Sequence, residues 1–234
     1  MGPKALFFDV FGTCVDWRSG VAREVAELAA LRGVTVDAEG IADAWRAEYQ
    51  PQLETVRSGR RPWVTLDVLH RESLERVLAG TALEGAGAAE RDELTRAWHR
   101  LDPWPDTVEG LTRMRARHVI APNSNGHIAL VLNMARRAGL PWDVILGAET
   151  ARAYKTRPEA YLRNVEAVGL APHEVMMVAA HNGDLIAAAA CGLRTAFVVR
   201  PTEHGPGQTT DLEPEGDYDI VAADLIALAE SLDR

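Results

Sequence analysis

Only two of the 234 residues are cysteine, too few for a disulfide framework, and Cys14 and Cys191 sit in no pattern that suggests a metal knuckle. Basic charge is also scarce. Lys and Arg number 25 against 34 Asp and Glu, which leaves a formal net charge of −9. A nucleic-acid footprint needs clustered cations, and the one short basic cluster, Arg57, Arg60 and Arg61, reads as a solvated turn. No apolar run reaches the roughly 18 residues that a membrane span requires. The start, Met1-Gly2-Pro3-Lys4, runs straight into Ala5-Leu6-Phe7-Phe8 without a cleavable signal, and Leu6 stands where a myristoylation signal wants Ser or Thr. These absences set aside nucleic acid and membrane as partners and point to a protein of a reducing cytoplasm.

What is present is a chain 47% hydrophobic and 25% charged, enough for one large domain or a core with a smaller insertion. Short apolar runs alternate with helical stretches, the pattern of an α/β protein with a parallel sheet and helices on both faces. Strands are expected at residues 5–8, 118–121, 174–179 and 195–199, with a weaker one at 144–146. Helices are expected at 107–117, 127–138, 159–168 and 184–191, three of them closed by Gly139, Gly169 and Gly192.

Between the first and second strands the apolar spacing is helical throughout, as in Ile41, Ala44, Trp45 and Glu48, and five of the six tryptophans fall there. This predicts a helical insertion over one end of the sheet, with a loop at 79–89 and a return hinge at Asp102-Pro103-Trp104-Pro105. Tyr49, Trp63 and His70 lie at helical spacing and are expected to pack in its core. The Pro/Gly/acid-rich stretch 201–216 reads as a surface loop before a last helix at 222–232.

Ligands of open parallel sheets bind at the carboxyl ends of the strands. Asp9 follows the first run, with Gly12 permitting a sharp turn; a carboxylate there serves as a nucleophile or caps the turn. Asn123-Ser124-Asn125-Gly126 opens a helix and reads as a cap or an anion site. Lys155 precedes the helix begun by Pro158, and Ala180-His181-Asn182-Gly183-Asp184 opens the next. Lysines are ordinarily solvated, yet Asp9, Ser124, Lys155 and Asp184 together stand at successive strand ends facing one crevice. Cys14, beside the first of them, reads as a small buried residue.

That ordered set resembles the haloacid dehalogenase superfamily over nearly the whole chain. The resemblance implies a Rossmann-like core of residues 1–15 and 105–234, a helical cap of residues 16–104, and covalent chemistry at Asp9. Phosphotransferring members read Asp-x-Asp, the second carboxylate being the acid/base beside Mg²⁺. Here Phe11 takes that place, and an apolar ring cannot protonate a leaving alkoxide.

Asp-x-aromatic-Gly-Thr is similar instead to the L-2-haloacid dehalogenase (type II) branch. That branch implies a substrate carboxylate on Ser124 and neighbouring amides, halide against Asn125 and Arg46, and Asp184 positioning Lys155 and water. Phe11, Tyr161 and Asn182 complete the expected binding residues. Where many relatives read Ser-Ser-Asn-Ala-Trp-Asp, this chain reads Ala179-Ala180-His181-Asn182-Gly183-Asp184, which resembles a subset that includes enzymes acting on fluoroacetate. Asp184 or His181 would then orient or deprotonate the water.

The expected reaction is hydrolysis of a small 2-haloacid through an aspartyl ester, with inversion at the substituted carbon and no metal or cofactor. The partners are the haloacid and halide, and a homodimer is expected because related enzymes are often dimeric. A Mg²⁺-dependent phosphohydrolase, a hydrolase or transferase of another small carboxylate, and a non-catalytic module are the alternatives.

Overall fold

The computed structural model describes residues 2–233. From the N-terminus the elements are β1 (Ala5–Phe8), β2 (Val15–Asp16), α1 (Trp17–Leu31), α2 (Ala38–Ala47), α3 (Tyr49–Arg57), α4 (Leu66–Leu78) and α5 (Ala88–Thr95). Then come β3 (Asp102–Pro103), α6 (Thr107–Arg115), β4 (Val119–Ser124), α7 (Ile128–Ala138), β5 (Leu146–Gly147), α8 (Ala148–Ala151) and α9 (Glu159–Ala167). The chain closes with β6 (Val175–Ala179), α10 (Asn182–Ala190), β7 (Arg194–Val198), β8 (Ile220–Ala222) and α11 (Leu225–Leu232).

Six strands form one parallel sheet in the order β5-β4-β1-β6-β7-β8. Side chains alternate across a strand, so Leu6 and Phe8 pack into one hydrophobic core while Ala5 and Phe7 pack into another on the opposite face. Both faces are therefore covered, which accounts for the unbroken apolar run of β1. The second strand in sequence, β4, and the third long one, β6, flank β1 on opposite sides. The crevice at that reversal of strand order lies beyond the carboxyl end of β1, directly at Asp9.

The chain leaves the sheet at β2 and returns at β3, and these two passages pair antiparallel, Val15 with Pro103 and Asp16 with Asp102. Asp16 also caps α1, its carboxylate accepting the Ser19 N–H at 3.0 Å. The helices α1 to α5 between them bury a tryptophan cluster: Trp98 stacks on Trp17 at 6.2 Å and meets Trp45 edge-on at 5.6 Å. Among the described residues, no helix is long and apolar enough to cross a membrane.

The tail departs from the sequence reading. It adds an edge strand, β8, and α11 starts at Leu225 rather than 222, capped by Asp224 accepting the Ala227 N–H at 2.7 Å. A strand of three residues, of which only Ala222 is buried, carries too little apolar pattern to announce itself. The strand expected at 118–121 runs on to Ser124, and the weak one begins at Leu146, where it pairs with Asn123 and Ser124. Gly139 closes α7 with a left-handed φ of 71°, as its position predicted.

Candidate active site

Asp9 is buried at the tip of β1, and each of its oxygens is held. One accepts from the Lys155 ammonium at 2.8 Å; the other accepts from the Thr13 hydroxyl at 2.8 Å and lies 3.1 Å from His181 Nδ1. Thr13 is itself fixed, because its oxygen accepts the Ala180 N–H at 2.9 Å. Burial alone would raise the Asp9 pKa, but Lys155 and His181 overcome it and hold the group well below the usual carboxylate range. Asp9 is thus an ionised carboxylate, almost wholly buried at the floor of a crevice.

Lys155 bridges Asp9 and Asp184. Burial opposes its charge, yet the two carboxylates keep it an ammonium. Asp184 gives its second oxygen to the Tyr161 hydroxyl at 2.7 Å. Burial and the nearby negative Asp9 raise the Asp184 pKa against the pull of Lys155. Tyr161 is accordingly a support for Asp184, outside the cavity lining, and not a binding residue as expected.

One buried group beside the site escaped the sequence reading. Glu203, in the stretch taken for a surface loop, is fully buried and sits beneath the nucleophile loop. Its carboxylate meets His181 Nε2 at 2.9 and 3.1 Å and accepts the Trp17 indole N–H at 3.0 Å. Burial disfavours charge on both partners, but their mutual attraction prevails: the His181 pKa rises well above 6.5 and that of Glu203 falls. The only sequence signal was the acidic Glu203 beside His204, which a turn explains equally well.

A cavity of about 590 Å³ opens at this point, lined among others by Asp9, Phe11, Arg46, Tyr49, Asn125 and His181. Arg46, from α2, lies over the Tyr49 ring at 4.3 Å and the Trp17 ring at 5.2 Å. Its NH1 is buried without a hydrogen-bond partner among the described residues. A buried donor left unpaired is costly, and this guanidinium edge borders the cavity with its hydrogen-bonding capacity unused. Asn125 donates to the Tyr49 hydroxyl at 3.0 Å and accepts the Lys155 N–H at 2.8 Å. Tyr49 is thus a pocket residue as well as a packing one, which corrects the expectation for it.

The remaining expectations divide. His70 is core, stacked on Trp98 at 4.4 Å and pushed by burial down to about 3, hence neutral. Trp63 packs on Tyr154 at 6.5 Å and under Arg152, outside the cavity. Ser124 ends β4 but does not line the cavity; its hydroxyl accepts the Gly126 N–H at 3.0 Å. Asn182 is corrected: its amide is used by Asp211, the Glu213 carbonyl, the Glu215 N–H and the Tyr218 hydroxyl, so it anchors the tail and leaves nothing for substrate. Arg57 is no solvated turn residue, since it donates to the Lys155 carbonyl at 2.9 Å. Cys14 is buried, its thiol pushed up by desolvation, and unreactive.

Magnesium, which related phosphotransfer would require, does not fit these residues. An octahedral ion needs free oxygen ligands. Here Phe11 offers no oxygen where a second carboxylate would stand, and the Lys155 ammonium already occupies the place between Asp9 and Asp184.

Residues 3–192 match the family model of haloacid dehalogenase-like hydrolases. An (S)-2-haloacid dehalogenase of Xanthobacter autotrophicus is 30% identical over 199 residues, covering 84% of this chain and 75% of that one. The crystal structure of a defluorinating L-2-haloacid dehalogenase is 53% identical with a TM-score of 0.97, covering 99% of this chain and 96% of the other. A second L-2-haloacid dehalogenase structure is 46% identical with a TM-score of 0.95 over 99% of both chains. The sheet order, the engaged Asp9 and these matches agree, and the chain belongs to the haloacid dehalogenase-like hydrolases.

Proposed function

We infer that the chain hydrolyses the carbon–halogen bond of small 2-haloalkanoic acids, releasing halide and a 2-hydroxy acid. The observation that carries the chemistry is the pairing of an ionised Asp9 with an apolar Phe11 two residues on, below the unpartnered edge of Arg46. A carboxylate displaces halide in line and leaves an ester on Asp9. Halide departs as an anion and needs no proton, so Phe11 costs the reaction nothing. Arg46 and Asn125 stand where the growing negative charge is stabilised. Asn125, which follows Ser124 and lines the cavity, is the member of that loop within reach of the substrate. One displacement at the carbon inverts it; water then attacks Asp9 Cγ and restores the carboxylate.

In this reading residues 16–104 act as the cap, lending Arg46 and Tyr49, and residues 1–15 with 105–234 act as the core. The homodimer and the cytoplasmic setting belong to the same proposal; two unpaired cysteines suit a reducing compartment. Light-scattering mass reads the first and localisation of a tagged chain the second.

Halide release from L-2-chloropropionate and from fluoroacetate, with and without EDTA, tests the reaction. Release unaffected by chelator, a product of inverted configuration and a mass adduct on Asp9 that vanishes in Asp9→Asn are expected. Phosphate release lost with EDTA, and no halide from any 2-haloacid, would sink it.

A further inference from the structure

We propose that Glu203 is a positioning residue for ester hydrolysis: it orients His181 so that Nδ1 faces the Asp9 ester and takes the proton of the attacking water. This rests on the dehalogenase reading above. Three observations carry it. His181 lies between two carboxylates, Nδ1 at 3.1 Å from Asp9 Oδ2 and Nε2 at 2.9 Å from Glu203 Oε2. Glu203 is fully buried with no solvent to satisfy it, so it is placed there by its partners, His181 and Trp17. Asp184, the other acid near the site, is tied to the Lys155 ammonium through one oxygen and to the Tyr161 hydroxyl through the other, and makes no contact with Asp9 itself, whereas His181 does.

An imidazole has two tautomers, and the hydrogen bond at one nitrogen selects which nitrogen is free. With Glu203 accepting from Nε2–H, the lone pair of the neutral ring belongs to Nδ1, on the side of Asp9. At rest His181 is doubly protonated, because Glu203 and ionised Asp9 both hold it so. Alkylation removes the Asp9 charge. His181 then gives its Nδ1 proton to solvent, which is the one proton that conversion of haloacid and water to hydroxy acid and halide must release.

The balance of the second step follows. Nδ1 takes a proton from water as the hydroxyl adds to Asp9 Cγ. It returns that proton to the alkoxide oxygen as the Cγ–O bond breaks, and the new carboxyl group on Asp9 passes its proton to Nδ1. The products are the hydroxy acid, ionised Asp9 and protonated His181, the state at the start. Lys155 stays an ammonium throughout, and Arg46 and His204, the other cations near Glu203, make no contact with Nδ1.

The test is single-turnover kinetics of Glu203→Gln with L-2-chloropropionate, following halide release and the mass adduct separately. Halide release in the first turnover should stay within about threefold of wild type while adduct decay slows by about a hundredfold, the scale of general-base catalysis. Decay should rise with pH, and its midpoint should move to lower pH in the variant. In a His181→Asn background, Glu203→Gln should add little, whereas a merely structural Glu203 would cost the same in both. Should Glu203→Gln fail to fold, His181→Gln tests the claim, with prompt adduct decay overturning it. Wild-type decay in Glu203→Gln, or equal loss in both steps, also overturns it and leaves the dehalogenase reading intact. Absence of any adduct or halide from the wild type would bring down both.

Discussion

Gly12 and Glu203 share a space that holds only one of them with a side chain. The Gly12 backbone has a φ of 86°, and a Cβ built there would lie 2.0 Å from Glu203 Oε1. The turn after the nucleophile is therefore shaped twice over, by its left-handed backbone and by the buried carboxylate beneath it. Gly12→Ala should cost about 2 kcal/mol or more, roughly 1–2 from backbone conformation and the rest from displacing Glu203. It should also lower activity beyond what stability explains. Urea melts beside initial rates check both, and a neutral Gly12→Ala would mean that Glu203 moves freely.

Lys155 neutralises two buried carboxylates. Lys155→Met removes the cation that bridges Asp9 and Asp184, and breaking such a pair costs about 3–5 kcal/mol. In the variant His181 still faces Asp9, but Asp184 is left with burial and the negative Asp9, so its folded-state pKa stands further above the unfolded value. The folded state then binds more protons, so stability should recover in part as pH falls from 7 toward 5. Denaturation midpoints at the two pH values measure it; a variant equally stable at both refutes the coupling.

The stacking of Arg46 over Tyr49 and Trp17 sets an order among variants. Arg46→Lys keeps the charge but loses the planar stack and the directed edge, and kcat/KM should drop by about a hundredfold. Tyr49→Phe keeps the ring and loses only the bond from Asn125, an effect of about 1 kcal/mol. If the lysine variant is the more active of the two, Arg46 does not receive the leaving group.

Strand-end residues were legible because their neighbours in sequence are their neighbours in space. Asp9 is one step beyond an apolar run that can only be a buried strand, and Lys155 precedes a helix begun by Pro158. Glu203 was not legible, since its partners Trp17 and His181 are 186 and 22 positions away in the chain and its own stretch is rich in Pro and Gly. Asn182 misled for the reverse reason. It adjoins His181 in sequence, yet at the first turn of α10 its side chain points to the returning tail. Arg57 looked solvated because the carbonyl it binds belongs to Lys155, 98 residues on.

His181 should leave a signature on stability as well as on rate. Its ordinary pKa is 6.5; burial lowers it, but Glu203 and Asp9 raise it well above that value in the folded state. A group raised in this way contributes stability that is full below the unfolded pKa and lost as pH climbs through the folded one. Asp9 and Glu203 are lowered, burial notwithstanding, so their contributions are present above the unfolded carboxylate pKa and lost as pH falls below it. Lys155, held above its usual range, does not titrate in this window. Wild-type stability should therefore decline from neutral pH upward, and His181→Asn should flatten that alkaline arm while keeping most of the acid one, which Lys155 and Asp9 still carry. Urea midpoints from pH 4 to 10 on the two proteins decide it, and parallel curves above pH 7 would show that His181 is not charged between its two carboxylates.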